Sequence, residues 1–123
     1  IVELGANDAL RGIDPALTRT NLDKILAALT AKGADILVAG MRAPNNWGAD
    51  YSKAFEAIYP DLSKKYGTAL YPFFLDGVAL DPKFVMQDGL HPTATGVAEI
   101  VRRILPDVEK LIAKTATRLS QAK

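Results

Sequence analysis

The chain has 123 residues, 49% of them apolar and 24% charged, which is ordinary globular usage and enough for one core. Fifteen basic residues against fourteen acidic ones leave a net charge of +1, so there is no general electrostatic case for nucleic acid. No apolar run approaches the roughly 20 residues of a membrane span, and without cysteine there is no disulfide, thiolate nucleophile or Cys-based zinc site.

Ile1–Gly5 is a short apolar run ending in Gly and reads as a strand. It opens without Met, and we expect a segment that begins partway through something larger. Asp14-Pro15 is a helix start, with Asp as N-cap and Pro at the first helical position. Leu22, Ile25, Leu26 and Leu29 follow at helical spacing, and Gly33 stops the helix. Ala34–Gly40 reads as a strand buried on both faces.

Met41–Asp50 is a loop rich in Pro, Asn and Gly. Tyr51, Ala54, Phe55, Ile58, Tyr59 and Leu62 mark a second amphipathic helix, which Pro60 should kink or split. Ala69–Leu75 is a third strand; Pro72 cannot donate a ladder hydrogen bond, which places it at a sheet edge. A long loop runs from Asp76 to Pro92, and its length makes it a functional suspect.

The last helix starts near Thr93, with Val97, Ile100, Val101, Ile104, Val108, Leu111 and Ile112 as its core stripe and a kink expected at Pro106. Beyond Lys114 the chain turns polar and fraying is expected. From Arg102 to Lys123 there are six basic residues against Asp107 and Glu109. A solvated helix face accounts for them, since helix C-termini favour cations; an anionic membrane surface is the other reading.

Strand–helix alternation throughout means an α/β fold, a parallel sheet covered by helices with right-handed crossovers. Burial of Ile36–Ala39 on both faces calls for more strands and helices than are present, so we expect strands before Ile1 to be missing. Ligands of open α/β sheets bind beyond the carboxyl ends of the strands. Here those ends lead into Gly5–Gly12, Met41–Gly48 and the loop holding Asp88–Pro92, which should converge on one rim.

His91 is the only residue whose ordinary pKa lies near neutrality. Asp88, three positions earlier, can reach a ring nitrogen, fix the tautomer and stabilise an imidazolium. The plain alternative is a loop histidine capping the last helix. Asn7 at a strand end can aim its amide N–H at a developing oxyanion, with Gly5 allowing close backbone approach. The plain alternative is a turn, which Asn7-Asp8 would also favour.

Together these pieces carry a resemblance. Gly5-Ala6-Asn7-Asp8 resembles the GxND block, and Asp88-Gly89-Leu90-His91 the DxxH block, of the SGNH (GDSL-type) hydrolases. Asn7–Gly12, Arg42-Ala43-Pro44, Ala57–Pro60, Pro72–Leu75 and Asp88–Pro92 look like the bacterial arylesterase, lysophospholipase and acyl-CoA thioesterase subgroup. The resemblance runs from Ile1 to about Ile112. It implies a three-layer flavodoxin-like parallel sheet whose N-terminal strands are not in this chain, so that residues 1–123 are the C-terminal part of one hydrolase domain.

The family's Gly-Asp-Ser block and its second, glycine-bearing block both precede GxND, and neither is here. Ser52, Ser63 and Ser120 fall in predicted helices or the tail, away from any nucleophile elbow. The resemblance therefore implies a serine esterase acting on carboxylic esters or thioesters of lipid-like acyl groups, with the serine upstream. His91 would be the base, Asp88 its orienting acid and Asn7 an oxyanion donor. Neither metal nor organic cofactor is implied. The expected partners are the small ester or thioester substrate and the N-terminal segment, in the same chain or a separate one. Members are often exported, so the periplasm or the exterior is the expected compartment.

Gly5, Leu10, Met41, Arg42 and Pro44 are the expected substrate contacts. Ile13, Ala43, Trp47, Phe84, Val85 and Met86 are further apolar choices, with local loop packing the alternative for each. Leu10-Arg11-Gly12 reads as a mobile strip beside the acyl site. Arg42 either steadies a head group or faces water. The chain alone is expected to be inert on esters and to fold poorly. A carbohydrate O-acetylesterase with the same triad and a non-catalytic α/β binding module are the other readings.

Overall fold

The computed structural model describes residues 1–121, so Lys123 of the basic stretch lies outside the described residues. Ile1–Phe73 forms one compact unit and the chain from Phe74 onward a second.

The first unit is built on parallel strands. β1 (Leu37–Ala39) pairs with β2 (Ala69–Tyr71), Val38 opposite Leu70. On the other flank of β1 the pairing narrows to one bridge, Val2 to Val38, also parallel. Val2 N–H donates to the Leu37 carbonyl, and Ala39 N–H donates back to Val2, both at 2.9 Å. All three residues of β1 are buried, as its unbroken apolar run requires. β2 lies at one side of this sheet, in keeping with Pro72.

The strands are shorter than their apolar runs. Gly5 turns into the left-handed region (φ 106°), ending the first strand and admitting a helix that the sequence reading missed, α1 (Ala6–Leu10). The last ladder bond between the other two strands runs from Gly40 N–H to the Tyr71 carbonyl, 2.8 Å. Pro72 then has no N–H to offer. Gly40 is required there, because a Cβ would collide with the Pro72 carbonyl.

α2 (Pro15–Ala31) starts as expected: the Asp14 carboxylate accepts from Ala16 N–H at 2.8 Å and Pro15 occupies the first turn. Its buried face is Thr18, Leu22 and Leu26. Ile25, expected in the core, is 37% exposed. The second amphipathic stretch is two helices, α3 (Ala49–Glu56) and α4 (Ile58–Tyr66), joined at Ala57. Pro60 sits in the first turn of α4, where its missing N–H costs least, so the chain breaks before it rather than at it. Phe55, Ile58, Tyr59 and Leu62 are buried, whereas Ala54 is exposed. The loop before α3 holds a short 3-10 turn, Asn45–Trp47. Arg19–Asp61 and Lys65–Asp23 pairs, with Tyr66 also donating to Asp23, tie α2 to α4 at the surface.

The second unit consists of turns followed by one long helix, α5 (Ala94–Gln121). Phe84–Thr93 folds back on itself: Met86 N–H donates to His91 and Thr93 N–H to Phe84, at 2.7 and 2.8 Å. The Thr93 hydroxyl then accepts from Gly96 N–H at 3.1 Å and caps α5. Gly96 is needed because a Cβ would meet the Phe84 carbonyl. Arg103 reaches Glu99 and Asp76, bracing the turns against the helix.

Two expectations about α5 are corrected. The chain stays helical past Lys114 as far as Gln121, with Pro106 inside the helix. Its expected core stripe is only partly covered: Ile100 and Ile104 are buried, whereas Val97, Val101 and Ile112 are exposed. Apolar periodicity identifies a face, but whether that face is covered depends on what packs against it.

Candidate active site

The residues singled out from the sequence fall in both units. In the second unit, Gly89 adopts φ 70° and closes a turn that brings Asp88 back onto the backbone following it. Asp88 Oδ1 accepts from the N–H groups of Leu90 (2.9 Å) and His91 (3.0 Å). Its other oxygen, Oδ2, stands 2.7 Å from His91 Nδ1. The His91 ring first, then the two backbone N–H groups, hold this carboxyl down at about 2. It therefore stays an anion at any neutral pH, and an anion at Nδ1 favours the tautomer that leaves Nε2 as acceptor. The His91 side chain is 73% exposed, so that nitrogen is reachable. The alternative of a histidine capping α5 is excluded, because Thr93 makes the cap.

In the first unit, Asn7 lies on α1 and its residue is exposed. It borders a cleft of about 400 Å³ lined also by Glu3, Leu4, Thr18, Leu22 and Ile25. Burial raises the Glu3 carboxyl there. Asp8 accepts from the buried Thr18 hydroxyl at 2.9 Å, fastening α1 to α2. Asn7-Asp8 is thus the body of a short helix, not a simple turn.

The expected substrate contacts divide. Leu10 is exposed and Pro44 half-buried. Met41 and Ala43 are buried within the first unit's core, which is the local-packing alternative. Arg42 stands over the Phe73 ring, 4.8 Å from its centroid, so it is neither simply in water nor free. Phe84 and Val85 are half-buried, and Met86 is exposed. The Leu10-Arg11-Gly12 strip lies between two side-chain bonds: Trp47 Nε1 donates to Ala9 and the Tyr51 hydroxyl to Ile13, each at 2.8 Å. Sequence reasoning missed this role of the aromatics, although Trp47, Tyr51, Phe55 and Tyr59 recur at every fourth position. Among the described residues no three His, Cys, Asp or Glu are grouped to hold a metal ion.

The model of the GDSL-like lipase/acylhydrolase family matches residues 1–98. The chain belongs to that family. As a GDSL-like chain it is 45% identical over 92 residues to thioesterase 1/protease 1/lysophospholipase L1 of Escherichia coli K12, covering 75% of this chain and 44% of that protein. It is 42% identical over 92 residues to an arylesterase of Vibrio mimicus, covering 75% and 46%. The crystal structure of AlinE4, an SGNH-hydrolase family esterase, superposes with a TM-score of 0.69 at 50% identity, over 89% of this chain and 58% of that one. The GDSL-like chain thus spans less than half the length of these two curated relatives. Its small parallel sheet with flanking helices is a partial SGNH-type α/β fold.

Proposed function

We propose that this chain supplies the base, the orienting acid and one oxyanion donor of a serine esterase. The observation that carries the reading is the Asp88 carboxylate seated on His91 Nδ1. With Nδ1 held protonated, Nε2 takes the proton of a serine hydroxyl as that oxygen attacks the acyl carbonyl. It then returns the proton to the leaving alcohol or thiol. Water repeats the cycle on the acyl-enzyme. The Asn7 carboxamide donates to the oxyanion of each tetrahedral intermediate. The exposed Leu10, three positions after Asn7, suits an apolar acyl chain of an ester or thioester.

The serine of this proposal stands in a Gly-Asp-Ser block upstream of Ile1, and residues 1–123 are the C-terminal part of one hydrolase domain. Ser52, Ser63 and Ser120 support that placement, since each lies inside a helix. Ser63 is buried as well. The relatives named as esterase, thioesterase and lysophospholipase support the reaction class. Export to the periplasm or beyond belongs to the same proposal and rests on the resemblance to exported members.

The test is hydrolysis of p-nitrophenyl butyrate by the full-length protein. His91→Ala should abolish it, and Asn7→Ala should lower kcat by about 10²–10³. Residues 1–123 alone should be inert, since loss of the serine of such a triad costs about 10⁶ in turnover. Full activity in His91→Ala would overturn the reading.

A further inference from the structure

Trp47, Tyr51, Phe55 and Tyr59 form one continuous row of rings. Neighbouring centroids are 6.2, 6.2 and 5.7 Å apart, with Tyr51 stacked on Phe55 and Phe55 edge-on to Tyr59. The three polar tips all end on backbone carbonyls of one short segment. The Tyr59 hydroxyl donates to Leu4 at 3.0 Å, Trp47 Nε1 to Ala9 at 2.8 Å and the Tyr51 hydroxyl to Ile13 at 2.8 Å. Asn7 lies inside the stretch that these bonds bracket.

Two glycines let the row approach so closely. A Cβ on Gly5 would collide with the Tyr59 hydroxyl, and one on Gly12 with the six-membered ring of Trp47. Both glycines also have positive φ. Burial, and then the Glu3 and Asp8 carboxylates, push the Tyr59 hydroxyl far above the ordinary phenol range. It is a donor at every working pH.

α1 has five residues and no side-chain cap at its N-terminus. A helix that short does not hold itself. An oxyanion donor, however, is effective only when fixed within a fraction of an ångström. The fixing must come from outside α1: the Thr18 hydroxyl holds Asp8 from α2, and the aromatic row holds the backbone on both sides of Asn7.

We infer that Tyr59, Tyr51 and Trp47 are positioning residues that act through Asn7, holding its carboxamide in place by three side-chain bonds to the backbone around it. This rests on the reading of Asn7 as an oxyanion donor. The row ends in Trp47, 43% exposed, whereas Phe55 and Tyr59 are buried.

The experiment is a mutant cycle in the full-length protein with p-nitrophenyl butyrate. Tyr59→Phe keeps the ring and removes only the donor. It should lower kcat about tenfold and leave KM within about twofold, because an oxyanion contact exists only in the transition state. In an Asn7→Ala background the same change should have no further effect on kcat. Trp47→Phe, at the exposed end, gives the same comparison if Tyr59→Phe does not fold. A kcat unchanged by both variants, or an equal loss with and without Asn7, overturns the inference. If Asn7→Ala alone leaves kcat unchanged, the oxyanion reading itself is what has failed.

Discussion

Asp88 grips His91 twice: one carboxylate oxygen accepts the backbone N–H of His91 at 3.0 Å and the other stands 2.7 Å from its ring Nδ1. The acid and the ring it orients are therefore parts of one turn. The relationship sets how Asp88 titrates.

The folded carboxyl is held down to about 2 from an ordinary 3.8. A lowered folded value means the favourable contribution is complete above the ordinary value and is lost as pH falls through about 2. A carbon-13 NMR titration should place the Asp88 midpoint near 2. His91→Ala removes the largest cause and should raise that midpoint, though not fully, because the Leu90 and His91 N–H bonds stay. A midpoint at the ordinary value before mutation would contradict the geometry.

Phe55 is fully buried at the centre of the aromatic row. Phe55→Ala should cost about 3–5 kcal/mol of stability, the usual range for deleting a buried ring. Urea unfolding of the full-length protein measures it, and a loss below about 1 kcal/mol would show that the row is not packed as described.

Gly40→Ala places a Cβ against the Pro72 carbonyl at the end of the β1–β2 ladder. Both groups are backbone, so neither can swing aside. We expect a loss of about 1–3 kcal/mol, seen as a lower Tm. An unchanged Tm would mean the two chains stand further apart there.

Ser63 is 5% exposed, and its hydroxyl is without a hydrogen-bond partner among the described residues. An unsatisfied buried hydroxyl costs about 1–3 kcal/mol. Ser63→Ala should therefore hold or raise the unfolding midpoint while leaving ester hydrolysis unchanged. Loss of hydrolysis would make Ser63 a candidate nucleophile and displace the upstream serine from the mechanism.

Much of this was readable in the sequence, where the signals are local. Asp14-Pro15 predicted the start of α2, and Pro60 predicted the break between α3 and α4. The three-residue offset from Asp88 to His91 predicted their contact. What depended on distant partners was not readable. Ile1–Gly5 reads as a strand by hydropathy, yet only Val2 finds a ladder partner among the described residues. Ile25 and Val101 have the right periodicity, and nothing in a period says which part of the face is covered. Tyr59 and Leu4 are 55 positions apart, and no local pattern pairs a phenol with a particular carbonyl. Asn7-Asp8 favoured a turn by composition, whereas the Asp8–Thr18 bond stabilises a helix there.

The double grip on His91 closes a loop of three residues, whereas the bonds around Asn7 close loops of 10, 38 and 55. The ordering entropy of a contact rises with the length of chain it closes. Warming or mild denaturant should thus release the surroundings of Asn7 while the Asp88 turn is still formed. On the proposed roles of His91 and Asn7, heat inactivation would begin with the proton acceptor kept and the grip on charge lost.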